Sequence, residues 1–449
     1  MMKPLAALFV LFPLNSYALT QINSVPYTAD KAGETYVLAK DLAQDSGHAI
    51  TISADDITLD GNGKRLIYCG SGDKCSGVRI NRSSNIEIHS LTFQQGATRV
   101  KAQAVSGNGG LMNFHDNILN LIARTDGSGM FGVNVDTNED GSELHHNVIN
   151  VTGDNRMKAH DASDSAVWLV HHNKVTITGL KQSTPGRYSR IFNVGNGSQY
   201  YENDIMVDSG SEYINLFVSW GRSNVKVFNN TINYASERGR IIILDNGASN
   251  WAIYNNSVSI TSKRGPVRVF RPRGEGSHAS DNFFYHNTVD ASKAEGTVEV
   301  INPGDGPPVH RNHVFYNIIK ANSFPVRFYS NRAIDMAFYC NKLVHTGTSG
   351  YAIQVHRKSH DNIVFSHNDI TTKRSDGKLL HFQSNPDKSG AFTFCESPNL
   401  ANHDRIAGSF DSGDVVFMNA PCNNGIPFCA NDAGANLDRP VAPRNVFMQ

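Results

Sequence analysis

Lys158, His160 and Asp161 lie within four positions of one another. A cation, an imidazole and a carboxylate placed so closely can divide the work of moving a proton. Further along come Arg268, Arg271, Arg273, Arg327, His356, Arg357 and Lys358. Arginine forks match carboxylate and sulfate oxygens, so this basic group is a candidate for holding an anionic ligand. The alternative is an ordinary solvated charge face, with Glu275 and Glu299 as acidic partners. A third constellation, Asp136-Thr-Asn138-Glu-Asp140-Gly141, carries oxygen ligands at positions 1, 3 and 5 and glycine at 6. That spacing fits a calcium loop, with Asp136, Asn138 and Asp140 as ligands. Position 12 is Asn147 rather than Glu, and a polar turn between strands accounts for the same residues. His145, His146, His171 and His172 are read as structural, because each pair precedes a recurrent asparagine.

That asparagine sets the frame for everything else. It recurs at Asn117, Asn147, Asn173, Asn203, Asn230, Asn256, Asn287, Asn317, Asn341 and Asn368, in steps of 24 to 31 residues. A period of this size marks a stacked-repeat protein, in which each unit buries its apolar face against its neighbours. Strands alternate on both sides of the asparagine, as in Asn173-Lys-Val-Thr-Ile-Thr. An earlier strand is legible in Val267-Arg-Val269, Val298-Glu-Val300, Val326-Arg-Phe328, Ile353-Gln-Val355 and Leu380-His-Phe382. Short strands repeating at this period predict an all-β chain, a single-stranded right-handed parallel β-helix of about twelve coils. Residues 19–50 and 395–449 are expected to cap a helix spanning 51–394, since bare coil ends expose strand edges and core. The repeated asparagine is expected in a tight bend, bonded to its equivalents above and below.

In this register one outward column holds Asn134, Lys158, Arg268, Glu299, Arg327, Gln354 and His381. A neighbouring turn column holds Thr137, Asp161, Asp245, Arg271, Asn302, Ser330 and Arg357, with His160, Tyr329 and His356 between the two.

The 449 residues have a formal net charge of zero and a pI near 7.3. No global field draws nucleic acid or an acidic membrane. Lys3, the apolar run Leu5 to Leu14 and Ser16-Tyr17-Ala18 read as a secretory signal over residues 1–18, which predicts a secreted or periplasmic protein. Nothing later is long and apolar enough for stable membrane insertion. Six cysteines then suit disulfides. Cys69 and Cys75 bracket one tight loop, and Cys422 and Cys429 another. Cys340 and Cys395 remain, able to pair if their Cα atoms come within reach.

Over roughly residues 50–400 the chain resembles the pectate-lyase-like β-helix superfamily. The strongest matches are the opening Leu59-Asp-Gly-Asn-Gly-Lys64 and the run Ala166-Val-Trp-Leu-Val-His-His-Asn173. The second is similar to the Trp-Ile-Asp-His strand of pectate lyases, with Val170 in place of the Asp. His160-Asp161 also resembles part of a mannuronan epimerase motif, without its preceding Asp-Pro. The resemblance implies a carbohydrate-active protein with its substrate along one outer face. An anionic polysaccharide fits the basic residues, with Lys158, His160, Arg268 and Arg271 doing chemistry and Asp161, Arg273, Arg327, His356 and Arg357 binding. A polysaccharide lyase acting by β-elimination is the leading expectation. A C5-epimerase, a glycoside hydrolase and a non-catalytic glycan-binding protein are the alternatives.

Overall fold

The computed structural model describes residues 19–418 except 72–74, 98–101, 124–130, 154–156, 163–165, 180–188, 211–213, 219–220, 238–240, 244–248, 274–278, 304–307, 330–332, 357–359, 384–390, 397–404 and 409–414. The expected secretory signal and the Cys422–Cys429 loop lie outside the described residues.

The described residues form mainly strands and turns, with no α-helix among them. The strands assemble into three long sheets of 16, 15 and 13 members, each a stack of parallel neighbours one coil apart. The chain is a parallel β-helix. The 16-stranded sheet holds the strand before each repeated asparagine and the 13-stranded sheet the strand after it. The 15-stranded sheet holds the earlier strand of each coil. Leu19–Ile22, Tyr27–Ala29 and Gly47–Ile52, in the region expected to cap the rod, pair within these same sheets. At the other end Ile406–Gly408 and Val415–Met418 do so too.

Alternation builds the core. In Val148–Gly153, Ile149 and Val151 are buried while Val148 and Asn150 stand half out. Each such side chain contributes about 1.5–3 kcal/mol when fully buried. Inside the last coils Phe338, Phe365, Phe394 and Phe417 stack with ring centroids 4.5, 4.9 and 5.5 Å apart.

The repeated asparagines are buried and form the expected ladder. Asn230 is typical. Its backbone N–H and its Nδ2 both donate to Oδ1 of Asn256, at 3.0 and 2.9 Å. Nδ2 also donates to the carbonyls of Tyr200 and Phe228, at 2.9 and 3.0 Å. The bend itself falls one residue earlier than expected. Asp116, His146, His172, Glu202, Asn229, Asn255, His286, Tyr316, Cys340 and His367 take φ of 53–55°, so left-handed backbone belongs to the residue before the ladder. That turn frees the asparagine to aim its amide along the rod axis.

Outside this sheet runs a second ladder. His89, His115, His145, His171, Tyr201, Phe228, Tyr254, Tyr285, Phe315 and Tyr339 stack face to face, with centroids 4.7 to 5.2 Å apart. Stacked face to face, the rings brace neighbouring coils, and Tyr285, Phe315 and Tyr339 at the C-terminal end are buried.

Cys69 and Cys75 are bridged as expected, with Cα atoms 5.5 Å apart. Cys340 and Cys395 are each disulfide-bonded. They are not each other's partner, because the strand Ile363–Ser366 stands between theirs. Two strand spacings, about 9.6 Å, exceed what one bridge spans.

Candidate functional site

Strands of the 15-stranded sheet break simple alternation. Ala159 and His160, Ile191 and Phe192, Leu216 and Phe217, Val269 and Phe270, and Val300 and Ile301 are consecutive pairs, and all are buried. Each strand therefore bends, turning two successive residues inward. Residues flanking the bend, three apart, face out together. One outward column is then Phe131, Lys158, Arg190 and Asn215, and, in backbone register through position 241, Arg268, Glu299 and Phe324. The other includes Asp161, Asn193 and Val218, and further along Arg327, Gln354 and His381. Lys158, Arg268 and Glu299 thus share a column with each other, but not with Arg327, Gln354 and His381. The expected single column came from assuming strict alternation.

The same bend corrects the placement of His160. It pairs in register with Val133 and Phe192 and is fully buried. Its ring packs 4.7 Å from Trp168, and neither ring nitrogen has a hydrogen-bond partner. Burial pushes its pKa down to about 4, against a smaller opposing pull from Asp161. His160 is a core residue, out of reach of anything on the outer face.

Polar groups are buried on one outer face of this sheet. At its N-terminal part the Lys158 ammonium pairs with Asp161, whose other oxygen accepts from Asn193 Nδ2 at 2.6 Å. Lys158 also sits 5.0 Å above the Phe131 ring. At the C-terminal part Glu299, 1% exposed, is the hub. It accepts from Arg268 Nε at 2.7 Å, from Asn302 Nδ2 at 2.6 Å and from Arg327 Nη1. The Arg327 guanidinium lies 4.6 Å over both the Phe324 and the Tyr329 rings. Tyr329 in turn packs against His356, centroid to centroid 4.8 Å. Gln354 and His381 meet at 3.4 Å beside it. Two arginines on one carboxylate leave a net positive charge, and Arg271, 3% exposed, stands in the turn after Arg268. The Oδ1 atoms of Asn193 and Asn215 and the Oε1 of Gln354 are buried without a protein donor.

The structure brings together Arg268, Arg327 and His356 from the expected set. Lys158 and Asp161 lie four strand steps away from Arg268, roughly 19 Å. Arg273 is half-buried in the connection beyond Arg271, and Arg357 lies outside the described residues. Asp136, Asn138 and Asp140 are exposed. The Asp140 carboxylate accepts the Val167 amide of the next coil at 2.9 Å, serving the stack as a bend cap. Among the described residues no three His, Cys, Asp or Glu side chains gather as a metal shell. Glu299, Asn193 and Asn215 were not among the expected binding residues. The signal that finds them is a polar residue repeated on both sides of a buried pair, three positions apart.

No protein-family model and no curated protein matches the chain. Among solved structures it is similar to a point mutant of the periplasmic alginate epimerase AlgG. The identity is 12%, 79% of each chain is covered, and the TM-score is 0.39.

Proposed function

We propose that this protein is a carbohydrate-active β-helix that takes an acidic polysaccharide along the outer face of its 15-stranded sheet. The reaction we assign begins by removing the C5 proton of a uronate residue. The observation that carries the reading is the run of buried polar and charged side chains on an outward face, from Asp161 and Asn193 through Asn215 to Arg271, Glu299, Asn302 and Gln354. Burying such groups costs several kcal/mol unless they are paired, and here charged side chains of separate coils pair with one another on that face.

In this reading Arg268 and Arg327, held by Glu299, face the uronate carboxylate and stabilise the enediolate that forms when the C5 proton leaves. Tyr329 and His356 supply the proton-transfer groups beside them. In β-elimination the C5–H electrons form the C4–C5 double bond, the bond from C4 to the glycosidic oxygen breaks, and that oxygen leaves with a proton. In epimerisation a proton returns to C5 from the opposite face. Both reactions share the first step, and elimination is the leading reading.

The test is incubation of the purified protein with alginate, polygalacturonate and glycosaminoglycans. Ultraviolet absorbance of unsaturated ends reports elimination, and solvent-deuterium incorporation at C5 reports proton exchange. Absorbance from any of these polymers supports a lyase. Exchange without cleavage supports the epimerase. Neither signal from any uronate polymer sinks the assignment.

A further inference from the structure

The histidine end of the outer ring ladder does more than brace coils. We propose that the two imidazole pairs His145–His146 and His171–His172 each bind a divalent transition-metal ion of the copper(II) or nickel(II) type through their Nδ1 atoms.

Local sequence creates the arrangement. A His-His-Asn run occurs twice, 26 residues apart, so the two pairs stack in adjacent coils. The second histidine of each run takes the left-handed bend, φ 55° at His146 and 54° at His172. That turn swings its ring to the same side as the first, edge to face at 84° and 83°. Nδ1 of His145 then stands 2.8 Å from Nδ1 of His146, and Nδ1 of His171 2.9 Å from Nδ1 of His172. Two nitrogens bound at about 2.0 Å and at right angles on one metal stand about 2.8 Å apart, the cis edge of a square-planar or octahedral ion.

The outer nitrogens are arranged to match. Nε2 of His145 meets Asn113 Oδ1 at 2.9 Å, Nε2 of His172 meets Glu202 Oε2 at 2.8 Å, and Nε2 of His171 faces Glu143 Oε2 at 3.7 Å. Oxygen partners of this kind fix ring orientation and leave the opposite nitrogen for the metal. Glu143, Glu202 and Asp116 offset the added charge. The neighbouring ladder residues His89 and His115 differ, since their Nδ1 atoms meet Ser90 and Asp116. No third His, Cys, Asp or Glu side chain closes either site among the described residues. Water completes the shell, and the ion displaces the proton shared by the two imidazoles. Stacking places the two ions about 5 Å apart, so the second binds more weakly than the first.

The experiment titrates Cu2+, supplied as a glycine complex, into the untagged full-length chain after chelator treatment. Paramagnetic resonance and calorimetry follow binding. The variants are H146N and H172N, because Asn already occupies this bend position at Asn229 and Asn255. Wild type should take two nitrogen-coordinated ions, each single variant one, and the double variant at least tenfold weaker copper overall. Thermal unfolding of the apo variants should match wild type. Equal copper uptake by wild type and the double variant overturns the proposal, as does a wild-type spectrum without nitrogen coordination.

Discussion

Glu299→Gln separates the two roles assigned to the hub of the arginine cluster. The substitution keeps the side-chain shape and removes one negative charge from a site 1% exposed. Glu299 now serves three donors: Arg268 Nε at 2.7 Å, Asn302 Nδ2 at 2.6 Å and Arg327 Nη1. Gln offers one acceptor oxygen and sets an amide N–H against a guanidinium. Breaking a buried ion pair by removing one partner costs about 3–5 kcal/mol. Arg268 and Arg327 keep 14% and 17% side-chain exposure and regain some water, which places the expected loss near the lower bound, about 3 kcal/mol. Urea unfolding followed by tryptophan fluorescence measures it. Binding should move the other way, because the arginines lose their internal counterion. At low salt Glu299→Gln should hold polyuronate at least as tightly as wild type, with a steeper decline as salt is added. An unchanged unfolding midpoint refutes the buried-pair argument. Weaker polyuronate binding by folded protein refutes the assignment of these arginines to the ligand.

Asn230→Ala should destabilise by about 1–3 kcal/mol. It strands the backbone N–H of Asn203, whereas Asn203 Nδ2 keeps the carbonyls of Val170 and Tyr201, and the Phe228 carbonyl keeps the Glu202 amide. Replacing the exposed Met206 by Ala in the same assay should change stability by less than about 0.5 kcal/mol. His160 gives a pH signature. Its folded pKa of about 4 lies below the ordinary histidine value, so above about pH 6.5 both states are neutral and nothing is lost. As pH falls from there towards 4 the unfolded chain gains a proton that the folded core refuses. Stability drops by up to about 3 kcal/mol, and His160→Phe should flatten that slope in acid-unfolding curves. Tyr329→Phe and His356→Ala should each lower turnover on a uronate polymer by about 10²–10⁴-fold while leaving polymer binding intact, as read by initial rates and calorimetry. Full rate in both variants would place the proton-transfer groups elsewhere.

The fold was legible because its signal repeats. Ten asparagines in steps of 24 to 31 residues set the coil, and alternation around them set two of its strands. Alternation failed where the chain bends. His160 looked outward only because Lys158 does, yet two inward residues in succession moved it into the core. The same rule, read correctly, joins Glu299 to Asn302 and Lys158 to Asp161 across three positions. The arginine cluster was visible in composition, whereas its convergence on one buried carboxylate depends on register between coils. No single strand records that register. The bend fell on the residue before each ladder asparagine because the two share one turn, and sequence spacing alone does not say which takes the left-handed backbone.

The asparagine ladder has one further property. From Asn147 through Asn173, Asn203, Asn230, Asn256 and Asn287 to Asn317 and Asn341, each amide nitrogen donates to the oxygen of the next amide towards the C-terminus. Every link points the same way. Aligned amide dipoles add along the axis as peptide dipoles add along an α-helix, and each bond polarises its neighbour. The ladder is therefore electrically polar, with its N–H end towards the last coils. Arg268, Arg327 and His356 stand in the C-terminal half, so on the function proposed above an acidic chain along the rod would meet unequal ends.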